Sequence, residues 1–218
     1  MPKHSDKDIQ RIVANMTRWA SHPWAMIEDK MIWTLDSKDI GNPNGAIKLF
    51  PNERWLKELT EIWLKEPLLA VRKSRQMLCS WLFCYLTLWQ AVFHQGAACF
   101  LQSDKEDKSD ELVDRCAFMF NQVPDGEMLK PKLKGNRKMY CSMEWPALYS
   151  KIKGIPQGAD ALRQFAATSV VMDEFAFWEK AAESFGATKP TADGGGKIVL
   201  LSSANSGAFR NLCFDLIL

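Results

Sequence analysis

Val170-Val171-Met172-Asp173-Glu174 is an apolar run that ends in two adjacent acids. It is short, partly β-branched and free of polar interruptions, the pattern of a strand buried on both faces. Such a strand delivers both carboxylates to its C-terminal end. There one carboxylate can hold a divalent cation while its neighbour polarises a water. Upstream lies Leu68-Leu69-Ala70-Val71-Arg72-Lys73-Ser74-Arg75-Gln76-Met77-Leu78-Cys79-Ser80-Trp81. This stretch reads as a strand, Leu68–Val71, then a basic turn, a hydroxyl residue and a very apolar helix from Gln76 to about His94.

The remaining pattern alternates strands with helices. Asp6 to Trp19 reads as a helix with Ile9, Ile12, Val13, Met16 and Trp19 on one side. Asp36 to Gly45 is rich in turn residues, and Pro51 opens a helix from Asn52 to Lys65. Ala97–Leu101 is a second strand. A charged helix follows from about Asp104 to Asn121, with Leu112, Val113, Cys116 and Phe120 facing inward. Pro124 to Arg137 is a basic loop. Met139–Met143 and Ala147–Ile152 form a hairpin or two short strands, and Gly154 to Gly158 reads as a turn. Ser169–Met172 and Ile198–Leu201 are further buried strands, the latter preceded by a glycine-rich connector, Asp193 to Gly196. The expected fold is α/β, with a mostly parallel sheet flanked by helices. Ligands of such sheets sit at the C-terminal strand ends, which is where the basic turn and the acids both fall.

Composition narrows the classes. Hydrophobic residues make up 47% and charged residues 25% of the 218, ordinary for one globular α/β domain. The net charge of +2 neither demands nor excludes nucleic acid, because a basic stripe can hide in a balanced total. The polar start, Met1 to Asp6, has no apolar signal region, and no stretch is long and apolar enough to span a membrane. The cysteines (Cys79, Cys84, Cys99, Cys116, Cys141, Cys213) form no C-x-x-C pair and read as buried thiols in a reducing cytosol rather than a zinc site.

The basic turn departs from the standard phosphate loop, G-x-x-x-x-G-K-[ST]. With Ser80 at the hydroxyl place, Lys73 stands at the first glycine, Leu78 at the second and Cys79 at the lysine. The physics of the site survives the failed pattern. A strand-turn-helix still aims backbone N–H groups at an anion. Arg72, Lys73 and Arg75 supply charge, and Ser80 can ligate Mg²⁺. The same residues also read as a cationic turn that leads into a structural helix.

Lys73-Ser74-Arg75-Gln76-Met77, with Ser80-Trp81-Leu82, resembles the deviant phosphate loop of large terminase subunits from tailed bacteriophages. In that family an early Lys or Arg can accompany or replace the usual lysine. Further stretches are similar in order: Trp19 to Pro23 and Leu49-Phe50-Pro51 to the N-terminal lead-in, Phe100 to Glu106 to the segment after the second strand, and Gly154 to Asp160 with Leu162-Arg163 to the stretch before the acidic strand. Asp173-Glu174-Phe175-Ala176-Phe177 resembles the metal and water motif, and Ser202-Ser203-Ala204-Asn205 the coupling motif.

The resemblance implies a P-loop ATPase core over residues 51–218 after an N-terminal helical lead-in, residues 1–50. It implies an ATPase that drives double-stranded DNA into a procapsid, with ATP and Mg²⁺ held by residues 73–80: Lys73, Ser74, Arg75, Gln76, Met77, Leu78, Cys79 and Ser80. Ser80 and Asp173 would be the metal ligands, Glu174 the catalytic carboxylate and Arg163 an arginine finger acting across subunits. Ser202, Ser203 and Asn205 would couple hydrolysis to motion. Adenine would pack near Phe50, Pro51 and Trp55. The implied partners are DNA, the portal protein, the small terminase subunit and further copies in a ring. The implied location is the host cytoplasm, transiently at the portal. Large terminases continue into a nuclease domain with its own acidic cluster. Nothing within these residues corresponds to it, so no nuclease activity is expected of them. Two other readings stay open on the residues: a helicase-like motor, and a fold whose phosphate loop has decayed and only binds.

Overall fold

The computed structural model describes residues 5–36, 46–74, 77–124, 126–158, 162 and 166–215. The chain opens with α1 (Asp6–Ser21) and α2 (Trp24–Glu28), then an antiparallel pair, β1 (Trp33–Leu35) and β2 (Ile47–Leu49). There follow α3 (Arg54–Lys65), β3 (Leu68–Arg72), α4 (Cys79–Phe93), β4 (Ala98–Ser103), α5 (Glu106–Gln122), β5 (Ser142–Trp145) and β6 (Ser150–Pro156). The last elements are β7 (Ser169–Met172), α6 (Ala181–Asp193), β8 (Lys197–Ser202) and α7 (Ala208–Asp215). The main sheet has six strands in the order β3-β8-β7-β4-β6-β5, and only β5 runs antiparallel to its neighbour.

Alternation along the strands explains the two cores. Cys99, Leu101, Val171, Val199 and Leu201 point to one face, under α4 and α5. Phe100, Val170, Met172, Ile198 and Leu200 point to the other, where Phe209 of α7 and Ala181 of α6 pack with Phe175 and Trp178. A sheet covered on both faces needs strands apolar at every position, which is why β7 and β8 read as unbroken runs. The first core also takes in the lead-in. Trp19, Trp24 and Phe50 are buried in it with Trp63 and Leu82. The Trp89 indole N–H donates to the Trp19 carbonyl at 2.7 Å, and the Tyr85 hydroxyl donates to that of Pro23.

Several boundaries differ from the sequence reading. The lead-in is not helical alone, since β1 and β2 lie within it. On α1, Ile12 and Trp19 are buried but Ile9 and Val13 stay exposed. α4 begins at Cys79 rather than Gln76, because Leu78 takes a left-handed conformation (φ 53°) that a helix cannot contain. Pro146–Leu148 is a short 3₁₀ turn, so the strands are Ser142–Trp145 and Ser150–Pro156, and Gly154 to Pro156 belongs to β6 rather than to a turn. Pro156 tolerates this because it is the last residue of the strand. Most of the loop read at 36–45 lies outside the described residues. Among the described residues no helix is long and apolar enough to cross a membrane.

Helix placement fixes where a ligand fits. β3 leads into α4 on one face of the sheet, while its neighbour β8 leads toward α7 on the other. The crevice between two such strand ends is where open parallel sheets bind ligands.

Two glycines test the packing with opposite signs. A Cβ on Gly154 would lie 2.9 Å from the Ser109 carbonyl oxygen and 3.2 Å from its Cβ. Gly186, within α6, would meet nothing within 4 Å. Gly154→Ala is expected to lose about 1–3 kcal/mol in urea unfolding. Gly186→Ala is expected to gain roughly 0.5–1 kcal/mol, because alanine costs less backbone entropy in a helix. Equal midpoints for the two variants would contradict this packing of α5 on β6.

Candidate functional site

The ends of β3, β8 and β7 lie side by side, and the backbone locks them: the Lys73 N–H donates to the Ser202 carbonyl at 2.9 Å. The Lys73 side chain, 11% exposed, then turns across the strand ends. Its Nζ lies 2.8 Å from Glu174 Oε1, 3.2 Å from Asp173 Oδ1 and 3.2 Å from Ser80 Oγ. One ammonium thus gathers the basic turn, the first turn of α4 and both acids. Burial alone would pull the Lys73 pKa down. The charges of Asp173 and Glu174 and their hydrogen bonds outweigh it, and the net shift is upward. Cys79, the residue at the place of the usual lysine, behaves differently. Burial pushes its thiol up, with Lys73 opposing and Asp173 adding to the rise, so it stays a neutral thiol near neutral pH.

Two strained residues frame the site. Leu78 precedes α4 in the left-handed region, and Glu174 adopts it too (φ 52°, ψ 36°). Such conformations cost non-glycine residues of order 1–2 kcal/mol and persist only where the surroundings impose them. At Leu78 the turn aims the start of α4 toward the strand ends. No side chain caps that helix and no acid lies in its first turn, so its amide dipoles face the cleft. At Glu174 the turn swings the carboxylate back over the strand ends, toward Lys73. The Glu174 N–H donates to Asp173 Oδ1 at 3.1 Å, which orients the neighbouring acid.

The segment after β8 is tied to the same turn. Ser202 Oγ, fully buried, accepts from the Ala176 N–H at 3.1 Å. Ser203 Oγ lies 3.5 Å from Glu174 Oε2, and Asn205 Nδ2 donates to the Ala176 carbonyl at 3.3 Å. The three residues read as a coupling group from the sequence therefore all engage Glu174 or the Phe175–Phe177 turn that follows it.

A cleft of about 550 Å³ opens beside Lys73, between the β1–β2 pair and the start of α4. Its walls include Thr34, Lys48, Pro51, Cys79, Ser80 and Arg115. A smaller groove of about 280 Å³ shares Lys73, Met77 and Cys79 but runs along Trp55 and Ile62 of α3. The residues named for adenine are therefore separated. Pro51 lines the larger cleft, Trp55 the smaller groove, and Phe50 is buried in the core. Trp81 packs against the edge of the first core. It is half-buried in the cleft wall, edge-on to Phe118 at 5.9 Å between ring centres. Of the residues that the resemblance reads as a phosphate loop, Ser74 and Met77 are exposed, while Arg75 and Gln76 lie outside the described residues, as does Arg163.

Sequence reasoning missed Arg115. It lies three residues after Leu112 and four before Met119, both buried, so a cation interrupts the apolar stripe of α5. That interruption was the available signal. In the basic loop Lys134 pairs with Glu144 at 2.8 Å, and just past the loop Lys138 is held by Asp110 and Asp114.

The donor set at the strand ends suits magnesium. Ser80 Oγ and Asp173 Oδ1 each lie 3.2 Å from the Lys73 ammonium, so both border the space that it fills. One hydroxyl and one carboxylate, completed by phosphate oxygens and water, is the usual company of Mg²⁺.

No protein-family model matches the sequence, and no curated protein matches it. Solved structures do share the fold. The large terminase ATPase domain of Thermus phage P74-26, in a mutant form, superposes with a TM-score of 0.55 at 12% identity, over 75% of this chain and 70% of that one. The large terminase of bacteriophage HK97 superposes with a TM-score of 0.61 at 11% identity, over 77% of this chain but only 37% of its own. At such identities the likeness is one of fold: a six-stranded, mostly parallel sheet flanked by helices, as in a phage terminase ATPase domain.

The Lys73 bridge has a consequence for stability. Lys73→Met leaves Asp173, 10% exposed, without its cation, and is expected to cost about 1–3 kcal/mol in urea unfolding. Adding Asp173→Asn is expected to recover part of that loss. The pKa of Lys73 is raised in the folded state, so the bridge contributes fully below its unfolded value of about 10.5 and is lost as pH rises through the higher folded value. The deficit of Lys73→Met is therefore expected to be the same at pH 7 and pH 9. Additive losses in the double variant would contradict the bridge.

Proposed function

We propose that this chain is the ATPase part of a viral DNA-packaging motor, hydrolysing ATP to move double-stranded DNA. The observation that carries the reading is the convergence of Lys73, Ser80, Asp173 and Glu174 at adjacent strand ends. A structural ion pair needs one acid. Here two acids and a hydroxyl surround one cation, beside uncapped amides and an open cleft. The terminase ATPase fold supports the same reading.

Each side chain then has a task. Lys73 turns from the carboxylates to the phosphates of the nucleotide, as a flexible point charge. Amides of the α4 first turn add partial positive charge at the same place. Ser80 and Asp173 hold Mg²⁺, which when bound neutralises charge on the phosphate oxygens. Glu174, released by Lys73, keeps its contact with Ser203 and accepts a proton from the attacking water at its free carboxylate oxygen. Loss of the γ-phosphate is felt at Glu174 and Lys73, and passes through Ser203, Ser202 and Asn205 to the Phe175–Phe177 turn and α7. Arg163 acts from a neighbouring copy in a ring that assembles on the portal with the small subunit, in the host cytoplasm.

Glu174→Gln is expected to keep Mg·ATP binding and lose turnover by roughly a hundredfold or more. Asp173→Ala is expected to weaken metal-dependent binding as well. Lys73→Ala lowers Mg·ATP affinity in calorimetric titration, whereas Lys108→Ala, on the exposed side of α5, does not. If Glu174→Gln hydrolyses ATP at the parent rate in a DNA-stimulated assembly, the assignment is wrong.

DNA is gripped through its backbone in this reading, so binding falls steeply with salt. In the basic loop Lys132 and Arg137 are exposed, whereas Lys134 is engaged by Glu144. Replacing Lys132 and Arg137 with Ala is expected to flatten the salt slope by about 1–2 in log–log units, and Lys134→Ala less so. An unchanged slope in the first variant places the DNA surface elsewhere.

A further inference from the structure

The charges of the larger cleft do not all cancel. Lys48 lies 2.9 Å from Asp36, and Lys73 is shared between Asp173 and Glu174. Arg115 lines the same cleft. Among the described residues no carboxylate lies within ion-pair distance of it, and its guanidinium sits over the Trp81 ring, 5.6 Å from the centre. A guanidinium over an indole ring is attracted by the ring's negative face, and that contact uses none of its N–H hydrogen bonds. Trp81 directly follows Ser80 in the first turn of α4, so the stack anchors Arg115 to the helix that begins the phosphate loop's far side.

The cleft also lacks a cation where one is ordinarily found. Cys79 stands at the place of the loop lysine and offers only a neutral thiol. Lys73 is a single ammonium facing two acids, and the guanidinium of Arg72, at the end of β3, sits over the Phe214 ring of α7. A nucleoside triphosphate is highly anionic and needs a further partner.

We propose that Arg115 supplies that partner: from α5 of the same chain, it binds the phosphate chain of the nucleotide in this cleft and replaces the charge that Cys79 does not provide. The inference rests on the nucleotide reading of the site and goes beyond it. It assigns a role to a residue outside the phosphate loop, the acidic strand and the coupling segment. An arginine in this position binds the ground state in every subunit independently, unlike an arginine contributed by a neighbour. Its contribution depends on the number of phosphates rather than on the state of assembly.

Calorimetric titration of Mg·ATP, Mg·ADP and AMP into the parent chain, Arg115→Ala, Arg115→Lys and Lys108→Ala tests it. Arg115→Ala is expected to weaken Mg·ATP roughly ten- to hundredfold, the usual cost of a lost charge-assisted contact, and to weaken AMP far less. Arg115→Lys is expected to restore part of the ATP affinity, and Lys108→Ala to bind like the parent. A merely structural loss of the Trp81 stack would weaken all three nucleotides alike and would show as a lowered thermal midpoint in Arg115→Lys too. Parent-like ATP affinity in Arg115→Ala, with Lys73→Ala impaired, overturns the role of Arg115 and leaves the cleft reading standing. Equal losses for ATP and AMP overturn it as well. If the parent binds no nucleotide, both readings fall together.

Discussion

The structure turns on one ammonium group. Lys73 is nearly buried, and burial is costly for a charge unless it is paired. Asp173 and Glu174 are adjacent, and two neighbouring carboxylates repel. Each side solves the other's problem: the acids hold the lysine charged, and the lysine lets the acids lie together. The bridge spans elements far apart in sequence, since Lys73 follows β3, Ser80 opens α4, and the acids follow β7. It is also weakest where function would need it to be. Glu174 is 45% exposed while Asp173 is 10% exposed, so the bond to Glu174 is the one solvent and ligand can loosen.

That bridge requires the sheet order. β8 sits between β3 and β7, and its Ser202 carbonyl receives the Lys73 N–H while its Ser202 hydroxyl receives the Ala176 N–H. The strand therefore holds the basic turn on one side and the acidic turn on the other. It is buried on both faces by Ile198, Val199, Leu200 and Leu201, so it is a poor candidate for movement. The segment beyond it is exposed from Ala204 to Gly207 and contacts the acidic turn through single hydrogen bonds. A strand buried on both faces with an exposed segment just past it suits the coupling role proposed for Ser202, Ser203 and Asn205.

Much of this was legible in the sequence, for physical reasons that also explain what was not. β7 and β8 were visible because a doubly covered sheet demands unbroken apolar runs, and the acids ended one of them. β1 and β2 were not, because three-residue strands separated by turn-forming residues carry too little alternation to register. Gly154 and Pro156 suggested a turn, yet Gly154 is needed inside β6, where the Ser109 backbone of α5 packs too close for a Cβ. Arg115 was hidden for a third reason. The interrupted apolar stripe of α5 marks the residue, but its place opposite Trp81 is set by how α4 and α5 pack. The expected adenine wall split in the same way, since tertiary packing sent Phe50 to the core and Trp55 to a separate groove.

The departures from the standard phosphate loop are best understood as backbone demands met by other means. The second glycine of that loop serves a left-handed turn before the helix. Leu78 adopts that turn anyway, at a cost that a glycine would avoid. Its side chain is half-buried in the cleft wall, which offsets part of the strain with apolar contact. The loop lysine is replaced by Cys79, only 3% exposed, so the start of α4 packs where an ammonium would otherwise have to reach out. Charge then moves upstream to Lys73, on the strand end itself, where it meets the acids directly rather than from the helix. In the proposed reading, a turn built this way couples the phosphate site to the acidic strand even without a ligand, because Lys73 would bind phosphate and is the residue that holds the acids together. Entry of an anion must compete with that bridge, and its departure restores it.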